Sequence, residues 1–224
     1  MAIAISFLGS SGDGGSSSTQ LQVLSINTTG AEALIIIAKH EGAATTITCS
    51  TSTDTTGWVS LALESHTNND LHTQAWYKLN PTGNAADNGI MDVAAAKAWK
   101  GMAVWKVTTS PTADVELIDN VTGEGTGTSI SDGVLDATAA YVAAMMVPDY
   151  GGAPFTAASG WTERADTNSI YAADAASGSS GSLTVAATAT SSAAWVAAGV
   201  LFQEVGAGPS FKSAWAVNAN GIII

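Results

Sequence analysis

Leu34-Ile35-Ile36-Ile37 constrains this fold more than any other stretch. Four aliphatic residues stand at consecutive positions, and β-branched side chains favour extended backbone. Successive side chains of a strand point to opposite faces, so an unbroken aliphatic run needs cover on both faces. Trp195 to Phe202 (WVAAGVLF) makes the same demand, with Ala and Gly interspersed. A strand of a two-layer sandwich normally has one face in solvent. A loop or another subunit is therefore expected over the outer face of this one. That places Trp195 and Val196 among the interface candidates and points to a homo-oligomer.

Short strand signals recur along the chain, separated by Gly, Ser, Asn and Asp clusters. In the first half they are Ile3 to Leu8, Leu21 to Ile26, Leu34 to Ile37, Ala44 to Ser50, Trp58 to Leu63, Leu71 to Leu79 and Trp99 to Val107. Pro81-Thr82-Gly83-Asn84 carries turn chemistry. Asp92 to Lys100 (DVAAAKAWK) is the one stretch of helical character: Ala is the best helix former and Asp92 is placed to cap it. A short helix is expected there. Gly123-Glu124-Gly125-Thr126-Gly127 lacks the strand-turn-helix setting of a nucleotide loop and reads as a linker between halves.

The second half repeats the first. Ala139 to Val147 stands for Ala33 to His40, and Gly160-Trp161 for Gly57-Trp58, an offset of 103 (161 − 58). Tyr171 stands for Tyr77 at an offset of 94 (171 − 77), and Trp195 for Trp99 at 96 (195 − 99). Four landmarks in fixed order indicate an internal duplication. The expected fold is all-β: two tandem jelly-roll-like β-sandwich repeats, residues 1–110 and 111–208, or one larger sandwich formed by their merging, followed by a C-terminal tail or arm, 209–224. Trp58, Trp99, Trp161 and Trp195 then read as core residues. Trp76 should face opposite to Tyr77. Trp76, and in the tail Phe211, Trp215, Ile222, Ile223 and Ile224, join the interface candidates.

Charge narrows the partners. Seven Lys and Arg stand against nineteen Asp and Glu, and Arg164 is the only arginine. Neutralising a phosphate backbone or an anionic membrane takes clustered basic residues, so neither nucleic acid nor membrane is an expected partner. Cys49 is the one cysteine; it can make no internal disulfide and reads as a small buried thiol. Glu64, His66, Asp70 and His72 lie close in sequence, but Asn68-Asn69-Asp70 breaks the extended chain between the histidines, and a polar loop is preferred to a metal site. His40 beside Glu41 reads as the solvated end of a strand. No serine sits in a nucleophile elbow and no pair of acids stands out, so no catalytic residue, cofactor or metal is assigned.

Gly160-Trp161-Thr162-Glu163-Arg164-Ala165-Asp166 resembles a motif of the duplicated β-sandwich proteins of tailed-bacteriophage structural modules and related prophage regions. Ile5-Ser6-Phe7-Leu8-Gly9 matches their first strand, and Trp195-Val196-Ala197-Ala198 their last. The resemblance spans about residues 3 to 205; the Asp92–Lys100 segment and the tail depart from it. It implies a non-enzymatic virion protein, made in the host cytoplasm, either a capsid decoration or cement protein or a tail component. The implied partners are the major capsid protein or other virion proteins, with a trimer favoured by a capsid three-fold axis. The rival expectation is a tail-associated carbohydrate- or receptor-binding module, with an aromatic platform at Trp76 and Tyr77 or at Trp215.

Overall fold

The aliphatic run Leu34–Ile37 lies in an inner layer of a stack of antiparallel sheets, with protein on both sides. The computed structural model describes residues 3–68, 70–110, 113–151, 154–167 and 170–205. In chain order the strands are β1 (Ala4–Gly12), β2 (Ser18–Ile26), β3 (Ala33–Glu41), β4 (Ile47–Thr51), β5 (Val59–Ser65), β6 (Leu71–Leu79), β7 (Asp87–Lys97) and β8 (Gly101–Thr108). They continue with β9 (Asp114–Ala137), β10 (Tyr141–Pro148), β11 (Phe155–Ala157), β12 (Thr162–Thr167), β13 (Ile170–Ser177) and β14 (Gly181–Val205). The described residues contain no helix. The protein is an all-β sandwich.

The first half forms a large sheet, β1-β8-β3-β6-β5, and a small sheet, β2-β7-β4. The second half follows the same path with fewer breaks. Strands β9 and β14 pair in two stretches, separated by a register shift between Thr188 and Ala193. Asp114–Gly127 pairs with Ala193–Val205, beside β10, β13 and β12. Ser129–Ala137 pairs with Gly181–Thr188, beside β11. The order β9-β14-β10-β13-β12 thus mirrors β1-β8-β3-β6-β5, and β9-β14-β11 mirrors β2-β7-β4. Where β1 and β2, or β7 and β8, are separate strands, β9 and β14 run on as single long ones.

Three cores lie between the layers, and strand alternation decides which residue enters which. Ile36, Ala38, Met102 and Val104 pack on Leu21, Val23, Cys49 and Met91 of the small sheet. Their sequence neighbours Ile35, Ile37, Ala103 and Trp105 point the other way, onto Val142, Ala144, Met146, Ala198, Val200 and Phe202 of the second half. Ala143, Met145, Tyr171, Trp195, Ala197 and Leu201 meet Ile130, Leu135, Phe155, Leu183 and Val185 of the outer arm. The both-faced apolar runs are therefore covered within one chain. Trp195–Phe202 takes its cover from the outer arm on one face and the first half on the other, so neither a loop nor another subunit is needed over it.

Several sequence expectations are corrected. Asp92 to Lys100 is not helical: β7 continues to Lys97, because Val93 belongs under the small sheet and the register Ile47↔Val93 extends the ladder. Gly123–Gly127 is not a linker but part of β9, paired with Ala193–Ala197. Its glycines make room: a Cβ on Gly125 would stand 2.5 Å from the Trp195 indole. Of the repeat landmarks, Gly57-Trp58 and Gly160-Trp161 correspond. Both glycines take positive φ (77° and 91°), and each indole N–H donates to a backbone carbonyl at 2.8 Å, that of Asp54 or Thr184. Tyr77 and Tyr171 do not: Tyr77 faces the central core against Phe202, and Tyr171 the outer core against Phe155. Trp99 and Trp195 do not either. Trp195 is in the outer core, whereas Trp99 occupies the β7–β8 turn, 43% exposed. The core reading of Trp99 fails because a turn residue has no sheet above it.

Candidate functional groove

One end of the stack carries a groove of about 790 Å³ lined by Glu41, Gly42, Thr67, Asn68, Asp70, Ala96, Lys97, Ala98, Trp99 and Tyr150. It is formed by the turns after β3, β5 and β7 and by the segment following β10. Loops at one end of a rigid sandwich are where binding residues concentrate.

Each wall is tied down. The β7–β8 turn is held from beneath by Lys100, fully buried, whose ammonium is ion-paired with Asp13 and donates to the Lys97 carbonyl at 2.6 Å. Asp13 also accepts the Lys100 backbone N–H at 2.9 Å. With the turn fixed, Trp99 stands out of it at φ 53°, a left-handed conformation unusual for a bulky residue. Its indole lies against Gly15, where an added Cβ would approach to 3.2 Å. The β5–β6 turn is held by β9: Thr67 donates through both N–H and hydroxyl to Glu124, and the His66 Nε2 meets the Thr126 hydroxyl at 3.3 Å. Asp70 closes that turn at φ 43°. The Tyr150 N–H donates to the Ala194 carbonyl at 2.9 Å, so the second half supplies one wall.

The histidines are structural here. His40 and His72 are register partners on β3 and β6, with ring centroids 4.7 Å apart. His40 is fully buried, contrary to the solvated strand end expected for it, because β6 covers it. His66 and His72 are also buried rather than in a solvated loop. The His72 Nε2 is 3.0 Å from the Gly42 carbonyl, which makes it the protonated nitrogen, and Nδ1 takes the Ser65 hydroxyl at 2.7 Å. Burial, with His72 alongside, pushes the His40 imidazole down to about 4. Burial lowers His72 as well. Both rings are neutral at pH 7. Lys39, also fully buried, pairs with Glu41 at 2.8 Å beside the groove. Among the described residues no group of three or more His, Cys, Asp or Glu is arranged to hold a metal.

The sequence-derived candidates fall elsewhere. Trp195 and Val196 are buried in this chain's own layers. Trp76 is half-buried against the first small-sheet core, and Tyr77 on the opposite face is half-buried against the central one. Trp76 with Tyr77 is therefore no exposed platform. Phe211, Trp215, Ile222, Ile223 and Ile224 lie outside the described residues. The groove aromatics, Trp99 and Tyr150, were missed. Tyr150 follows Pro148-Asp149 and precedes Gly151-Gly152, turn chemistry that marks an exposed aromatic. Compared with known proteins, the chain matches no family model, no curated protein and no solved structure.

Proposed function

We propose that this chain is a non-enzymatic structural protein of a virus particle, a decoration or cement protein that binds the assembled shell. The observation that carries the reading is the doubled strand path. The interleaved orders β1-β8-β3-β6 with β2-β7-β4, and their counterparts in the second half, support two jelly-roll-like repeats merged through one core. Jelly rolls are a recurrent architecture of capsid proteins. The resemblance carried by Gly160 to Asp166 points the same way. The formal charge of −12 suits docking on a basic surface.

The mechanism is linkage. A protein that binds only the assembled shell stabilises it by about 2.7 kcal/mol per site at a hundredfold excess over Kd. Rigidity serves this, because a preformed surface loses little conformational entropy on docking. The partner is the major capsid protein, with a trimer seated on a three-fold axis. Trp195 no longer argues for oligomerisation, so the trimer rests on capsid symmetry alone. The test uses particles that lack the protein. Adding the purified chain should restore their survival of heat and low salt; unchanged survival with no chain bound overturns the reading.

A further inference from the structure

We propose that the groove binds an uncharged saccharide, stacked on Trp99 and Tyr150 and hydrogen-bonded through its hydroxyls to Glu41, Asp70 and Asn68. Large aromatic side chains are usually buried, yet Trp99 is 43% and Tyr150 53% exposed, and both line the same groove. Trp99 is held out in a costly backbone conformation by the buried Lys100–Asp13 pair beneath it. Asp70, on the facing turn, is also at positive φ, so two of the four such non-glycine residues described line this groove. Strain maintained by surrounding structure concentrates at binding sites. The volume, about 790 Å³, lies within the range of small-molecule sites.

The ligand class follows from the groups present. A pyranose ring has a C–H face that packs on the negative face of an aromatic ring, and an edge of hydroxyls. An ionised carboxylate accepts from two hydroxyls at once, and an amide both donates and accepts. The groove offers both kinds of surface. Its carboxylates are Glu41, one oxygen of which pairs with the buried Lys39, and Asp70; the ammonium of the lining Lys97 already donates to the Ala43 carbonyl. With a chain charge of −12 behind them, the carboxylates disfavour uronic or sialic acids. Tyr150 comes from the second half and every other lining residue from the first, so the site exists only where the halves pack.

The test is a glycan array followed by calorimetric titration with the full chain. Retention of hexose or N-acetylhexosamine oligosaccharides over sialylated and uronic ones is expected, with Trp99→Ala and Tyr150→Ala each weakening affinity by about tenfold or more. Trp99→Phe keeps a stacking face and should stay within about threefold of the parent. Unaltered melting temperatures show that these variants fold; if Trp99→Ala does not, Tyr150→Ala and Asp70→Asn carry the test. No glycan retained, equal binding by the folded variants, or a preference for acidic glycans overturns the inference. It does not rest on the shell role. A chain that restores shells but binds no sugar removes only this site, and one that binds sugar but leaves shells unchanged removes only that role.

Discussion

Two buried polar pairs near the groove are the residues most exposed to single changes. His40 titrates near 4 in the folded chain and near 6.5 when unfolded. Above pH 6.5 both forms are neutral and stability is at its full value. Between 6.5 and 4 the unfolded chain takes a proton that the native chain refuses, so stability falls as pH falls, by about 3 kcal/mol from this group. Urea titrations at pH 7 and pH 4.5 measure the loss, and His40→Phe should flatten the part that His40 contributes. Asp13→Ala leaves the Lys100 ammonium buried without its carboxylate and should cost about 3–5 kcal/mol, read by the same titrations. Neither pair was legible in the sequence. His40 meets His72 only through the β3–β6 register, and Lys100 meets Asp13 from the far end of the half. Trp99 failed for a related reason: its neighbours Lys97, Ala98 and Lys100 favour a helix locally, and only the ladder beneath Val93 turns the segment into strand and turn.

Elements were more legible than residues. The first seven strand signals each correspond to a strand, since alternation and turn chemistry are local properties. The failures are β7, where alanines imitate a helix, and the stretch Gly123–Gly127, where glycines imitate a linker. In both, a tertiary contact overrides local propensity. At Gly125 the contact is the Trp195 indole lying over the backbone. Gly125→Val should therefore destabilise the chain by about 1–3 kcal/mol, where a free linker would tolerate it. Chemical denaturation of the variant checks this. The Gly57-Trp58 and Gly160-Trp161 corners survive as a correspondence because a positive-φ glycine before a tryptophan whose indole bonds a backbone carbonyl recurs in both, locally to Asp54 in one and across to Thr184 in the other. Tyr77 and Tyr171 do not: they lie on equivalent strands, β6 and β13, but leave them on opposite faces, and an offset counted across loops carries no information about face.

At the scale of the molecule the two halves follow a similar strand path, and the way they join is not legible in the sequence. Trp105, Ile35 and Ile37 of the first half and Val142, Val200 and Phe202 of the second form one core. Separating the halves would expose it, so the chain should unfold in a single transition with equal calorimetric and van't Hoff enthalpies. Trp105→Ala should lower the stability of the whole by about 3–5 kcal/mol rather than melt one half. The shared core joins the two halves into one folding unit, which suits the proposed shell role. The shell role itself is tested most directly by electron cryomicroscopy of purified particles produced with this chain. It predicts density for the stacked sheets on the outer face of the shell, in contact with the capsid subunits. Purified particles that lack the chain, or that carry it only away from the shell, would contradict it.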